Sequence, residues 1–97
     1  MMELDPEVHQ PTRLRILMLL SGVRTADFSF LLETLGLTKG NLSAHMTRLE
    51  EVGYVHVTKK FVGKVPNTNY FLTPRGRDSL KAYWQAMDAL RASAGKA

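Results

Sequence analysis

The stretch "NLSAHMTRLEEVGYVHV", residues 41–57, decides the fold that we expect for this chain. Leu42, Met46 and Leu49 recur at helical spacing and cluster within about 60° of one another at 100° per residue. The other side of this predicted helix carries only small or polar groups, namely Gly40, Ser43, Ala44, Thr47, Arg48 and Glu51. The pattern therefore predicts a helix that buries one side and leaves the other side open.

Two predicted helices precede this stretch, over residues 11–22 and 26–36. Pro11 suits a first turn and Gly22 a helix end, while Asp27 can cap the second helix and Gly36 can end it. Only Leu37 and Thr38 separate the second helix from the third, which we expect to be capped by Thr38 and to end before Gly53. Helices joined this tightly form a helix-turn-helix or an ordinary helical hairpin.

The pattern changes to an alternation of period two from Tyr54 onward, which is typical of a strand. "YVHVTKKF" predicts one strand, "VGKVPNTN" supplies turn formers, and "YFLT" predicts a second short strand, so we expect a hairpin with a long basic loop. A last helix should run from Pro74 to Ala94 with Thr73 as its cap. Such a helix is roughly 31 Å long, and its far end should extend beyond the core.

Length and composition predict one domain, because 97 residues with 44% hydrophobic content suit a single core. We assign residues 1–10 to an N-terminal tail and residues 11–97 to the domain, including the helix 74–94. The chain has no cysteine, which excludes disulfides and thiolate metal sites. The acidic start and the longest apolar run, the five residues "ILMLL", predict a soluble cytoplasmic protein without a membrane partner.

Positive charge is concentrated in the middle of the chain. Residues 38–77 have seven basic and two acidic side chains, whereas residues 1–37 have three basic and five acidic ones. Segregated positive charge is the electrostatic signature of nucleic-acid binding, although many basic patches only keep a protein soluble.

The open side of the third helix fits a DNA major groove, which admits one α-helix with short or flexible side chains. Ser43 and Thr47 can hydrogen-bond to base edges, Ala44 can touch a thymine methyl group, and Arg48 can bind guanine or a phosphate. The alternative explanation is that this side of the helix is polar only because it is exposed to solvent, which would be the simpler reading of an isolated helix. The preceding tight turn and the lysine-bearing hairpin favour the DNA interpretation.

Three segments resemble the winged helix-turn-helix transcriptional regulators of the MarR-like and ArsR-like group, in particular their compact single-domain members. These are "GLTKGNLSAHMTRLEEVGYV" (36–55), "KKFVGKVPNTNYFLT" (59–73) and "TPRGRDSL". The resemblance implies an α+β, mostly helical fold with a two- or three-stranded antiparallel wing and a long C-terminal dimerisation helix. It also implies a homodimer on a palindromic operator.

The same resemblance, together with the open helix face, gives the expected DNA contacts. On the third helix, base contacts are expected from Asn41, Ser43, Ala44, Thr47 and Arg48, and Gly40 belongs to the same DNA-binding side. Phosphate contacts are expected at the start of this helix and in the wing, from Thr38, Lys39, Lys59, Lys60 and Lys64. The wing departs from MarR-like proteins because Val65 and Pro66 follow Lys64 where arginine is common. His9, His45 and His56 are scattered, which argues against ArsR-like metal sensing, and we expect no metal or cofactor.

The first helix is apolar on all sides and the last one extends beyond the core, so we expect both to pack against a second subunit. The predicted dimer residues are Leu17, Leu20, Leu80, Tyr83, Trp84, Met87 and Leu90. The sequence thus predicts a non-enzymatic, DNA-binding transcriptional regulator, most simply a repressor. A protein-interaction module and a regulator with a small-molecule effector at the dimer interface stay open as alternatives.

Overall fold

The computed structural model describes residues 3–95 and shows four helices and a three-stranded antiparallel sheet. In chain order the elements are α1 (Pro11–Ser21), β1 (Ala26–Asp27), α2 (Phe28–Leu35), α3 (Lys39–Glu51), β2 (Val55–Val62), β3 (Val65–Leu72) and α4 (Pro74–Ala94). This mostly helical α+β arrangement confirms the predicted winged helix-turn-helix with a long C-terminal helix.

The helix boundaries follow from local capping. The Asp27 carboxylate accepts a hydrogen bond from the Phe30 amide at 2.7 Å, and the Thr38 hydroxyl accepts one from the Asn41 amide at 3.2 Å. Gly36 ends α2 in the left-handed conformation at φ +64°, which glycine adopts without a steric cost. These caps confirm the predicted starts of α2 and α3 and make the turn between them three residues long.

The sheet differs from the prediction at two places. The two-residue strand β1, which the sequence analysis placed in the second helix, pairs with β3, so the strand order is β1-β3-β2. The prediction of a long hairpin loop is wrong, because Val62 pairs with Val65 and only a two-residue turn remains between the strands. Pro66 lies within β3, where it is tolerated because β1 reaches only Asn69 and Tyr70 and leaves this part of β3 on an open edge.

The core lies between the helices and the inner half of the sheet. Leu42, Met46 and Leu49 are at most 2% exposed, as the helical spacing predicted. Four of the residues that we expected at a dimer interface also belong to this core, because they are at most 6% exposed in the single chain: Leu17, Leu20, Leu80 and Tyr83. The assignment of these four side chains to a subunit contact is therefore corrected.

The start of α4 is fixed against the end of α3 by a close backbone approach. The Thr73 hydroxyl donates a hydrogen bond to the Gly53 carbonyl at 2.6 Å, and the Thr73 amide donates one to the Tyr54 carbonyl at 3.1 Å. Gly76 packs so closely that a Cβ there would lie 2.1 Å from the Tyr54 carbonyl oxygen. The motif "TPRGRDSL" thus combines a cap, a first-turn proline and a glycine that permits this packing.

The far end of α4 extends from the core, as its length predicted. Met87 still packs against the core, whereas Leu90 is 41% exposed and residues 91–95 are all exposed. Within residues 3–95, none of the helices combines the length and hydropathy needed to cross a bilayer. The same part of the chain holds no cluster of three histidine or carboxylate side chains suited to a metal ion.

Candidate nucleic-acid interface

The open side of α3 is exposed along its whole length. Every residue that we expected to contact DNA from this helix or its cap is exposed: Thr38, Lys39, Gly40, Asn41, Ser43, Ala44, Thr47 and Arg48. The opposite side anchors the helix through buried Leu42, Met46 and Leu49. The rigid core therefore presents small polar side chains and the first, unpaired amides of α3 to solvent.

One flank of this open side forms a groove with the hairpin of β2 and β3, which we call the wing. The groove has a volume of about 400 Å³. Ser43 and Thr47 line it from α3, and Lys59 and Thr68 line it from the wing. Lys59 and Thr68 are cross-strand partners, so their side chains leave the sheet on the same face. The structure thus brings a predicted phosphate-binding lysine next to two predicted base-reading residues.

The three wing lysines are exposed but do not share one surface. Because side chains alternate along a strand, Lys60 points away from the face that carries Lys59. Lys64 lies in the two-residue turn at the tip of the wing. Residues 55–72 contain no acidic side chain, so the wing has a net positive charge from its lysines. Strand alternation distinguishes Lys59 from Lys60, and this signal was already present in the sequence.

The groove contains residues that the sequence analysis did not select. Phe28, Thr68, Glu50 and Tyr70 also line it. Burial and the negative charge of Glu50 together raise the pKa of the Tyr70 phenol. The Glu50 carboxylate makes its own neighbourhood in the groove unfavourable for a phosphate.

The other flank of the open side is in contact with the N-terminal segment. Arg48 lies about 100° round α3 from Thr47 and its guanidinium pairs with the Glu7 carboxylate. The Nε–Oε2 distance is 2.8 Å, and a second short hydrogen bond joins Nη2 to Oε1. This hydrogen-bonded pairing lowers the pKa of Glu7. From the sequence, Arg48 was expected to make base contacts, and its pairing with Glu7 was not predicted.

His45 is half-buried beside the same segment. Arg13 donates a hydrogen bond from Nη1 to the His45 Nδ1 at 3.3 Å. Burial and the neighbouring Arg13 charge both lower the pKa of His45, so its ring is neutral at physiological pH. His45 therefore has a neutral, hydrogen-bonded packing role.

The apolar side chains left exposed on the helices are few. Trp84 and Leu90 on α4 are 39% and 41% exposed, and the Trp84 ring meets Tyr83 edge-on with centroids 5.3 Å apart. Met18 on α1 is 47% exposed, although the sequence analysis did not select it. Of the predicted dimer residues, Trp84, Met87 and Leu90 therefore remain accessible to another chain.

Comparison with known proteins identifies this architecture. A family described as "Winged helix DNA-binding domain" matches residues 12–91. An uncharacterized protein of Methanocaldococcus jannaschii is 39% identical over 71 residues, which are 73% of this chain and 77% of that protein. The family match covers α1 to α4 and includes the groove, the wing and Arg48.

Solved structures agree with the sequence comparison. The structure of a transcriptional regulator homologue from Pyrococcus horikoshii superimposes with a TM-score of 0.82 at 31% identity, and covers 90% of this chain and 86% of that one. An ArsR family transcriptional regulator superimposes with a TM-score of 0.63 at 21% identity, over 90% and 84% of the two chains. At 21% identity, the similarity to the ArsR family regulator shows a shared fold alone.

Proposed function

This chain belongs to the winged helix DNA-binding domain family, and we propose that it is a sequence-specific, double-stranded DNA-binding transcriptional regulator. In this proposal the protein acts as a homodimer on a palindromic operator and represses transcription. Repression is then the simplest outcome, because in this proposal the described fold would serve DNA binding and assembly. The Pyrococcus horikoshii structure of a transcriptional regulator homologue supports the regulatory part of the proposal.

The groove shared by α3 and the wing is the observation that carries this proposal. Ser43 and Thr47 are small enough to let α3 approach base edges in the major groove and can hydrogen-bond to them. Lys59 leaves the wing on the same face, where it can bind the adjacent phosphate backbone. A solvated helix face would not require a positive side chain beside these two residues.

Affinity in this arrangement comes mainly from positive groups around the polar face. Lys39 and the first amides of α3 form a site for one phosphate, since the positive end of the helix dipole lies there. Lys59 and Lys64 add contacts from the wing. Each phosphate contact lowers the slope of log affinity against log salt by about 0.9, so binding should weaken steeply with salt.

The partly exposed apolar face of α4 supports the homodimer. Trp84, Met87 and Leu90 follow one another at helical spacing, and a two-fold partner would cover them. A dimer of this kind can place two α3 helices about 34 Å apart, which is one turn of DNA. The four core residues Leu17, Leu20, Leu80 and Tyr83 are not part of this proposed surface.

Selection from random duplexes by the purified protein tests the proposal. We expect a palindromic consensus whose half-sites lie one helical turn apart, and binding that falls steeply as salt increases. Failure to enrich any sequence, or affinity that does not depend on salt, would instead favour a protein-interaction module.

A ligand-responsive regulator is the second candidate, because a cavity lies at the start of α1. It has a volume of about 310 Å³ and a mostly apolar lining from His9, Gln10, Pro11, Leu14 and Tyr83. His9 Nδ1 and the Tyr83 hydroxyl are hydrogen-bonded at 2.9 Å beside it and could instead bind a polar group of an effector. A metabolite that raises the melting temperature of the wild type but not of Leu14→Trp would support this function.

A further inference from the structure

The outer end of the wing, residues 61–66, which we call the wing tip, carries the most exposed large apolar side chains of residues 3–95. Phe61, Val62 and Val65 are 71%, 62% and 65% exposed, whereas no large apolar side chain on the described helices exceeds 47%. Pro66 is exposed beside them. Exposed apolar side chains that are grouped together mark an interaction surface, whereas isolated ones need no explanation. We therefore expect a partner to cover the wing tip.

The pleat of the hairpin divides these side chains between two faces. Phe61 pairs with Pro66 across the strands and lies two residues beyond Lys59, so all three share the groove face. Val62 and Val65 pair with each other and lie on the opposite face. Because alternate residues of a strand are about 7 Å apart, Phe61 lies about that distance outward from Lys59. The face that lines the groove with α3 thus ends in an apolar pair.

The charges around the wing tip indicate that its partner is a DNA duplex. Lys59, Lys60 and Lys64 flank the apolar side chains, and residues 55–72 contain no carboxylate. When α3 lies in the major groove and Lys59 binds a phosphate at its rim, the minor groove is the next feature of the duplex. That groove is about 6 Å wide, and the paired strands of the tip are about 5 Å apart. The two-residue turn therefore makes the tip narrow enough to approach it.

The groove face of the wing tip lacks a side chain that could read base edges by hydrogen bonds. Phe61 and Pro66 have no polar side-chain atom, and Pro66 also lacks an amide hydrogen. Their burial is favourable only against apolar surface, and a duplex exposes its apolar base faces only where two base pairs separate. Phenylalanine and proline are among the residues that proteins insert at such steps, which partly unstacks the bases and kinks the duplex.

We propose that Phe61, supported by Pro66, is a minor-groove wedge that opens one base step in each half-site and bends the bound duplex. This inference rests on the proposed DNA-binding function and deepens it. The open side of α3 reads base edges, whereas the wing tip responds to how easily the duplex deforms. Pyrimidine–purine steps, namely TA and CA/TG, are the most easily kinked, so one of them should lie at the position that the tip contacts.

Duplex bending and base preference, measured with full-chain variants on the selected duplex, test this role. The wild type should bend the duplex by roughly 20–90°, which energy transfer between dyes at the duplex ends detects. Phe61→Ala should lose most of this bend, and with it a preference of about 5- to 150-fold for the pyrimidine–purine step. Phe61→Leu retains an apolar wedge and should keep both. Val62→Ala is the matched control, because Val62 is similarly exposed but lies on the opposite face.

A wild-type complex with a straight duplex would overturn the inference, and so would a bend that persists in Phe61→Ala. An equal loss of bend in Val62→Ala would also contradict it, because exposed apolar surface and not the groove face would then cause the bend. If Phe61→Ala reduced self-association or binding to phosphatidylserine vesicles while the bend remained, the tip would bind a second copy or a membrane instead. Equal melting temperatures of Phe61→Ala and the wild type show that any loss of bend is not unfolding. A wild type that selects no duplex would defeat the DNA-binding function, whereas a selective wild type on a straight duplex would defeat this inference alone.

Discussion

Thr47 of α3 and Lys59 of β2 line the same groove, although they belong to different elements and have different expected partners on DNA. The next residue along the strand, Lys60, leaves the wing on the opposite face. Two adjacent lysines of equal charge therefore provide a test of whether the groove face meets the DNA backbone.

We expect Lys59→Ala to weaken binding to all duplexes and to reduce the salt slope by about one unit per protomer, because one phosphate contact is lost. Lys60→Ala changes the net charge equally and should have a distinctly smaller effect. Binding isotherms measured over a range of salt concentrations give both slopes. Equal effects of the two substitutions would show that net charge, and not the groove face, determines binding.

The junction between Tyr54 and Gly76 should tolerate no side chain. In Gly76→Ala the new Cβ would lie 2.1 Å from the Tyr54 carbonyl oxygen and 2.8 Å from the Leu72 Cδ1 atom. Backbone must move to relieve this contact, so we expect a loss of roughly 1–3 kcal/mol in the free energy of unfolding. Denaturant titration measures the change.

Gly40→Ala is the matched control for this substitution. Gly40 lies in the first turn of α3, with nothing within 4 Å of an added Cβ. Alanine is the better helix former, so Gly40→Ala should stabilise the protein by about 0.5–1 kcal/mol. If Gly76→Ala were as well tolerated as Gly40→Ala, the described packing of α4 would be wrong.

Trp84 should contribute to assembly more than its neighbours on α4. Trp84→Ala removes a large, partly exposed aromatic ring, and we expect the dimer to weaken by roughly 2 kcal/mol, about 30-fold in Kd. Gln85→Ala, at the adjacent exposed position, should leave assembly unchanged. Sedimentation equilibrium distinguishes these outcomes. A monomeric wild type at micromolar concentration would exclude the proposed dimer.

The pairing of Glu7 with Arg48 should contribute stability that depends on pH. Because the hydrogen bonds from Arg48 lower the pKa of Glu7 below its usual 4.5, this contribution is complete above pH 4.5. It disappears as the pH falls through the lowered pKa, since protonation removes the charge. The difference in melting temperature between wild type and Glu7→Gln should therefore be positive at neutral pH and shrink below pH 4.5. A difference that is constant down to pH 3 would contradict the pairing in solution.

The helices were predictable because their signals are local. Asp27, Thr38 and Thr73 each accept a hydrogen bond from an amide three residues later, so residue type and spacing were enough to locate three helix starts. The strand β1 was missed because two residues have no periodicity and their pairing is with β3, far along the chain. Its existence depends on tertiary packing.

The residues of α3 that form the candidate site were predictable from the sequence, but the contacts between α3 and its neighbours were not. The stripe of Leu42, Met46 and Leu49 fixed which side of the helix is exposed, and the structure places that side as expected. The pairing of Glu7 with Arg48 joins residues 41 positions apart, for which neither residue has a local signal. In α1 the apolar residues surround the helix, so sequence alone could not distinguish buried Leu17 from exposed Met18.

The central claim is that the open side of α3 and the groove face of the wing bind duplex DNA. Amide resonances of the labelled protein, recorded during titration with its selected duplex, test it most directly. We predict that the largest shifts occur at residues 38–48, 59 and 68, while residues 84–90 change little beyond any effect of assembly. Shifts confined to α4, with residues 38–48 unaffected by a saturating duplex, would contradict the account.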